Sequence, residues 1–270
     1  MTQKTVVITG AGTGLGAKIA KYFTDKNWHV IATVFNEQEK NKAEQNPNIN
    51  AYPVNLANYD EIETFCKTIF AKDIQINALI NNAGMGLRSP IELATKDRID
   101  LIVNVNYLAI VHLIRLFIPH FRKHNDGTFV NISSIAGLVN LPMGSYYHST
   151  KQAIESFTEC SQYELGKFGI KTRTVQFGAL PTNFSKNASL DKFPQEYQSM
   201  IDKINATLNK NRTKKDNTKM VVSGIYRATT DPKVKFKQYS LGMDPKFMKN
   251  AHRFLGKSLF TRLVKSNLKW

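Results

Sequence analysis

A tyrosine and a lysine four residues apart could carry out acid–base chemistry in this sequence. Tyr147 and Lys151 would share one face of a helix, because residues i and i+4 are neighbours on a helix surface. A phenol has a pKa of about 10 and is a weak acid at neutral pH, but a nearby ammonium favours the phenolate and lowers that pKa. Ser134 follows a strand-like run, and its hydroxyl could hold a substrate oxygen beside the phenol. Tyr146 lacks the pairing, because Thr150 stands four residues after it.

A glycine-rich turn follows the first strand-like run, Val6–Thr9, and leads into a helical pattern. Glycines allow the backbone to turn sharply and to approach a pyrophosphate, and the amides and dipole of a helix N-terminus favour anions. The alternative is an ordinary strand-to-helix turn. The position directly after the first strand favours a dinucleotide site, formed by Gly10, Thr13, Gly14, Leu15 and Gly16.

The end of the second strand-like run does not identify the dinucleotide. NAD sites usually carry an acid here for the ribose hydroxyls, whereas NADP sites place an arginine near the 2′-phosphate. Val34 and Phe35 occupy this end, Glu37 lies late, and Lys40 or Lys42 could reach a phosphate. NAD and NADP both stay open, and the absence of an obvious carboxylate to repel the phosphate favours NADP.

Strands and helices alternate along the first 182 residues, which predicts a parallel sheet covered by helices on both faces. Right-handed crossovers would wind it into a doubly wound, Rossmann-type α/β domain. We predict one domain over 1–270, with a substrate lid containing a short helix at 183–219 and a basic tail at 245–270. The predicted strands are Val6–Thr9, Val30–Val34, Ala51–Asn55, Ala78–Asn81, Thr128–Ser133, Lys171–Phe177 and about 235–241, and the predicted helices are 15–26, 58–71, 97–124 and 145–168.

Composition excludes several classes of protein. Hydrophobic residues make up 42% and charged residues 21% of the chain, which is globular rather than disordered composition. No apolar run approaches the roughly 20 residues of a membrane span, and the N-terminus lacks the apolar core of a signal peptide. Two cysteines, Cys66 and Cys160, make no disulfide framework, so we expect a cytoplasmic protein. No cluster has metal-ligand spacing, and we assign no metal.

The net charge of +16 is concentrated in residues 183–270, where 19 Lys and Arg against 6 Asp and Glu give +13. Such a surface could face an anionic cofactor, a membrane or nucleic acid, or could be a solvated basic face. The basic tail has apolar residues at helical spacing, which suits weak association with an anionic membrane or packing on the protein itself. We expect no nucleic-acid partner, because no helix-turn-helix or zinc signature is present.

The long helix predicted at 97–124 carries apolar residues on more than one face. Either it is buried within one chain, or its outer face packs against a second copy of the chain. The second alternative predicts a homodimer or homotetramer.

Taken together, these motifs resemble the short-chain dehydrogenase/reductase family over residues 5–182. The C-terminal stretch also resembles the branch near 17β-hydroxysteroid and retinol dehydrogenases. Phe35 departs from the arginine that many NADP-using members carry. The resemblance implies a catalytic tetrad of Asn106, Ser134, Tyr147 and Lys151, and cofactor contacts from Asn55, Leu56, Asn82, Ala83, Gly84, Tyr147, Lys151, Gly178, Leu180 and Thr182.

The family's chemistry, if it applies here, is hydride transfer between nicotinamide and a carbinol or carbonyl carbon. Tyr147 would exchange the proton with the substrate oxygen, Lys151 would lower the Tyr147 pKa and hold the nicotinamide ribose, and Ser134 would orient the oxygen. Asn106 would support a water that links Lys151 to solvent. The alternative is a catalytically idle NAD(P)-binding regulator, which could have lost Tyr147 or Lys151 freely.

Apolar residues in the loops near this constellation favour a small-molecule alcohol or ketone of apolar type. A lipid, sterol, retinoid or fatty aldehyde would suit them, although the same residues could be lid and core packing. They are Met85, Leu87, Leu138, Leu141, Met143, Phe184 and Phe193.

Overall fold

The structure is a computed structural model that describes residues 3–181, 184, 194–212 and 216–243, with residues 250, 256, 258, 259, 261, 262, 265 and 266. Thr182 and Phe193 lie outside the described residues, as does most of the predicted basic tail.

Seven parallel strands form one sheet in the order β3-β2-β1-β4-β5-β6-β7. Each predicted strand lies within two residues of an observed one, because short β-branched runs bounded by polar residues form buried strands. The predicted Rossmann-type α/β fold is confirmed. The strands are β1 (Thr5–Ile8), β2 (His29–Val34), β3 (Ile49–Pro53), β4 (Ile76–Asn81), β5 (Gly127–Ile132), β6 (Ile170–Phe177) and β7 (Lys237–Leu241).

Helices cover both faces of the sheet. Helices α1 (Gly14–Thr24) and α8 (Thr218–Thr230) pack together on the face that presents Val6 and Ile8. Helices α3 (Tyr59–Phe70) and α5 (Ala109–Lys123) pack on the opposite face, where Val7 points. The alternation of Val6, Val7 and Ile8 between two cores follows from the two-residue period of a strand. The remaining α-helices are α2 (Glu37–Ala43), α4 (Lys96–Val103), α6 (Ser145–Leu165) and α7 (Gln195–Arg212).

The sequence pattern missed or misjudged three of these helices. Helix α8 was not predicted, although it buries Val221, Val222 and Ile225. Helix α2 was not predicted, because it buries no residue and so shows no apolar periodicity. The short helix expected within 183–219 is wrong in length, because α7 has 18 residues.

Helices α4 and α5 join through one π-helical turn, Asn104–Leu108, into a continuous helix from Lys96 to Lys123. By length and composition this helix could cross a membrane, contrary to the expectation that no run was long and apolar enough. Only 39% of its most apolar stretch is buried within the chain, so more than half of this apolar stretch is not covered by the chain itself.

Arg173 is a buried cation on β6 that fastens the connection between α8 and β7. Its guanidinium donates hydrogen bonds to the backbone carbonyls of Asp231, Lys233 and Lys235. A carbonyl that loses its donor inside a protein bears the full cost of desolvation. Arg173 therefore holds β7 beside β6.

We expect Arg173→Met to lower the free energy of unfolding by roughly 2–4 kcal/mol, because several partly buried carbonyls lose their donor. Arg115→Met is the control, since the Arg115 side chain is 65% exposed and should change stability by less than about 0.5 kcal/mol. Urea unfolding measures both values. Equal losses in the two variants would contradict the structural role of Arg173.

Candidate active site

A crevice opens at the carboxyl edge of the sheet, where the strand order reverses between β1 and β4. The glycine turn follows β1, and residues 82–84 follow β4. The Asn82 side chain joins the two by donating to the carbonyls of Thr9 (2.9 Å) and Gly10 (3.2 Å). The Ala83 amide donates to Thr9 Oγ1 (3.0 Å). These bonds fix the two walls of the crevice relative to each other.

The glycine turn leaves an open cradle at the start of α1. Gly14 has a φ of +57°, and no described heavy atom lies within 4 Å of the position its Cβ would take. The Thr13 side chain makes no capping hydrogen bond with any residue that the structure describes. Leu15 packs against the core and Gly16 is buried. Uncapped helix amides beside open space suit a phosphate group, so the residues present fit a dinucleotide.

Other residues predicted to contact the cofactor follow strands along the same edge. Asn55 and Leu56 follow β3, with Asn55 exposed and Leu56 packed against the core. Gly178 and Leu180 follow β6, and Leu180 packs against the core on the other face. Thr182 is outside the described residues.

Helix α6 and the end of β5 bring three of the predicted catalytic residues together. Lys151 Nζ lies 5.8 Å from the centre of the Tyr147 ring, as the four-residue spacing predicts. It donates to the carbonyl of Ile132, the last residue of β5, at 2.8 Å. Ser134 forms a hydrogen bond with Tyr147, and its hydroxyl accepts from the Ala136 amide at 3.2 Å.

Asn106, the fourth predicted residue, lies fully buried in the π-helical turn. Its Oδ1 accepts from the Met85 amide and its Nδ2 donates to the Met85 carbonyl, both at 2.8 Å. A Cβ on Gly84 would lie 3.2 Å from Asn106 Oδ1 and 3.7 Å from Lys151 Nζ. Gly84 therefore lies beside both Asn106 and Lys151, which connects Asn106 to the group formed by Lys151, Tyr147 and Ser134. π-Helical turns often occur at functional sites.

Burial shifts the pKa values of both central groups. Burial raises the pKa of Tyr147, and its hydrogen bond with Ser134 lowers it. Burial lowers the pKa of Lys151 to about 8, against the negative charge of Glu155, which raises it. Burial is the larger of the two effects on Tyr147, so its pKa is raised rather than lowered as expected, and the phenol keeps its proton.

Glu155 is a buried acid that the sequence analysis did not single out. It accepts hydrogen bonds from Thr174 Oγ1 (2.8 Å), Gln176 Nε2 (2.7 Å) and Gln238 Nε2 (3.0 Å). Its position four residues after Lys151 could have indicated that its carboxylate lies near the Lys151 ammonium, because residues i and i+4 share a face of a helix. Glu155 connects the helix that carries Lys151 to β6 and β7.

His148 anchors the loop that follows Ser134. Its Nδ1 lies 2.7 Å from the Val139 carbonyl, to which it donates in the Nδ1–H tautomer. Burial lowers the pKa of His148, which favours the neutral ring. This contact ties the loop to the start of α6 and helps to hold Ser134 near Tyr147.

Four of the apolar residues expected to face a substrate divide into two groups, while Met85 and Leu138 are half-buried. The Phe184 ring lies 5.8 Å from that of Tyr147, and Leu141 is 43% exposed. Leu87 and Met143 are almost fully buried, so for them the alternative of packing residues holds.

Residues 4–192 match the short chain dehydrogenase family. The match covers well over half of the chain, and the chain belongs to this family of oxidoreductases. A curated relative, the 3-ketodihydrosphingosine reductase of Bacteroides thetaiotaomicron, is 28% identical over 75% of this chain and 73% of its own length.

Solved structures share the fold. A short-chain dehydrogenase from Streptomyces avermitilis superposes with a TM-score of 0.84 at 24% identity, covering 99% of this chain and 96% of the other. ElxO with NADP bound gives 0.72 at 24% identity, with 88% and 98% covered. A 4-hydroxyisoleucine dehydrogenase complexed with NADH gives 0.75 at 23% identity, with 89% and 98% covered.

Lys151→Met should make the protein more stable, because it removes a buried charge. The folded pKa of about 8 lies below the unfolded value of 10.5, so the unfolded chain binds more protons between them and wild-type stability rises with pH there. The variant also loses the hydrogen bond to Ile132, which offsets part of this effect. We therefore expect its free energy of unfolding to exceed that of the wild type by about 2 kcal/mol at pH 7 and about 1 kcal/mol at pH 9.

Urea unfolding at the two pH values measures this gain. Lys123→Met is the matched control, because Lys123 is exposed and its replacement should have the same effect at both pH values. A gain from Lys151→Met that does not shrink between pH 7 and pH 9 would show that Lys151 carries no depressed pKa.

Proposed function

We propose that this chain is an NAD(P)-dependent oxidoreductase that transfers a hydride between nicotinamide and an alcohol or carbonyl carbon. The observation that carries the proposal is the series of close contacts that brings Tyr147, Ser134 and Lys151 together and places both Lys151 and Asn106 beside Gly84.

Tyr147 is the proton donor and acceptor in this proposal. Its raised pKa keeps the Oη proton in place, which is the form needed to protonate a carbonyl oxygen during reduction. Ser134 holds the same oxygen through its hydroxyl. Lys151 places its ammonium 5.8 Å from the centre of the Tyr147 ring, and Asn106 fixes the Met85 backbone that follows Gly84.

The cofactor assignment is supported by the open cradle at Gly14 and by the uncapped start of α1. A nicotinamide dinucleotide would supply or accept the hydride when bound. The dinucleotide would lie beside Lys151 and Asn82. It would also lie along the carboxyl edge of the sheet, which carries Asn55, Leu56, Gly178 and Leu180. The NADP and NADH complexes of proteins with the same fold agree with this assignment.

An apolar substrate suits the residues near Tyr147. Phe184 and Leu141 are both more than 40% exposed and apolar, and Phe184 faces the phenol ring. The curated relative named as a 3-ketodihydrosphingosine reductase acts, by its name, on a ketone of a long-chain lipid. We therefore propose ketones and alcohols of lipid type as the first substrates to test. Separately, we propose a cytoplasmic location for the protein.

We expect Tyr147→Phe to lower kcat by about 10²–10⁴-fold, because it removes the proton-transfer group. Binding of NADH or NADPH should be unchanged, since the phosphate cradle lies apart from the phenol. The rate is measured by nicotinamide absorbance with a panel of ketones and aldehydes of increasing chain length, and binding by fluorescence titration.

Tyr146→Phe is the control, because Tyr146 is the adjacent phenol and its hydroxyl donates to the Ile91 carbonyl at 2.9 Å. It should keep the wild-type rate. Near-normal turnover by Tyr147→Phe would remove the tyrosine from its role. Tight cofactor binding without turnover of any carbonyl would instead favour a regulatory NAD(P)-binding protein.

We also expect a homodimer or homotetramer built through the helix from Lys96 to Lys123. Leu101 is 42% exposed, and Val105 and Leu108 lie partly exposed on the same side. A Leu101→Glu, Leu108→Glu double variant should dissociate, as measured by light scattering at micromolar concentration. Val234→Glu is the control, because Val234 is an exposed apolar residue outside this helix. A monomeric wild-type protein would contradict the prediction.

A further inference from the structure

Helix α2 places a carboxylate against the glycine turn. Gly12 is buried, and a Cβ at this position would lie 2.0 Å from Glu39 Oε2. Any side chain at residue 12 would therefore displace Glu39. The pair brings together the loop after β1 and the first turn of α2, which are 27 residues apart in sequence.

Two hydrogen bonds fix the Glu39 carboxylate in this place. Its Oε2 accepts from the Phe35 amide at 2.9 Å, directly after β2. The Asn36 side chain caps α2 by accepting from the Glu39 amide at 2.9 Å. Among the residues that the structure describes, Lys40 pairs with Glu37 (3.4 Å) rather than with Glu39. The expectation that no carboxylate stands near the end of β2 is therefore not met.

The sheet order defines which half of a dinucleotide this carboxylate would meet. Tyr147 and Lys151 lie beyond β4, near the end of β5, and the phosphate cradle lies after β1. The other half must then extend from the cradle over the end of β2, on the opposite side of β1. In dinucleotide-binding folds an acid in this region accepts from the adenosine ribose hydroxyls, and a cation accommodates a 2′-phosphate.

We propose that Glu39 selects NAD(H) over NADP(H) by accepting hydrogen bonds from the adenosine ribose and repelling a 2′-phosphate. This inference rests on the proposed dinucleotide site. Glu39 supplies from helix α2 the acid that Val34 and Phe35 do not supply from the strand. Gly12 contributes by leaving the space that the carboxylate occupies.

The test is fluorescence titration of the full chain with NADH and with NADPH, which needs no substrate. The wild-type protein should bind NADH more tightly by about tenfold or more, as expected for a charge-assisted contact. Glu39→Gln keeps the size of the side chain and its bond to the Phe35 amide. It should shift the ratio of the two Kd values about tenfold toward NADPH.

Glu37→Gln is the matched control, because it removes the same charge from the same helical turn and should leave the ratio at its wild-type value. Gly12→Ala is a second variant that displaces the carboxylate without removing it, and should shift the ratio in the same direction as Glu39→Gln. A wild-type preference for NADPH, or an unchanged ratio in Glu39→Gln, would overturn the inference alone. If the wild-type protein binds neither nucleotide, both the inference and the proposed function are wrong.

Discussion

The Lys151 ammonium is buried behind the edge of a parallel sheet, and much of the surrounding structure follows from keeping a charge there. A buried cation is costly unless it is paired and hydrogen-bonded. The Ile132 carbonyl accepts directly from Lys151 at 2.8 Å, and Glu155 supplies a negative charge one turn later. Because Glu155 is itself buried, it needs donors, and the next two strands provide them. Thr174 and Gln176 of β6 and Gln238 of β7 thus help to stabilise the buried charge of Lys151 through Glu155.

A second polar chain crosses the middle of the sheet beneath the site. Asn81 donates to Asn131 at 2.7 Å across β4 and β5, and Asn131 donates to Thr158 of α6 at 2.8 Å. Asn81 and Asn131 are direct partners in the strand register. Hydrogen bonds of this kind in a dry interior fix one arrangement of strands and helix. They fix the position of α6 relative to β4 and β5, and with it the positions of Tyr147 and Lys151.

The same burial that positions the tyrosine also opposes its ionisation. The pKa of Tyr147 is raised in the free chain although Ser134 bonds to it, and the Lys151 pKa falls to about 8. A site with these properties holds a protonated phenol beside a lysine whose pKa is about 8. Such pairs of groups with displaced pKa values are characteristic of acid–base sites. Phe184 exposes apolar surface beside the phenol, which is the observation that supports the proposal of an apolar substrate.

The strands and most helices that cover the sheet could be predicted from the sequence, although α8 was missed despite its buried face. The strands were placed within two residues, because each is an apolar, β-branched run such as Val30–Val34. The spacing of Tyr147 and Lys151 needed only the period of a helix. Helix α2 escaped prediction because none of its residues is buried, and the length of α7 escaped because its polar sequence has no clear apolar face.

The sequence by itself determined the order of strands and helices, the glycine turn and the tyrosine–lysine pair, because local periodicity and spacing encode them. Only the tertiary structure decided which distant polar groups meet. Glu39 reaches Gly12 because the Asn36 cap and the crossover from β2 set the direction of α2. Glu155 meets Thr174 and Gln176 because β6 lies beside α6. Contacts between polar side chains depend on where separate backbone segments come together in space, and no periodic pattern in the sequence records that.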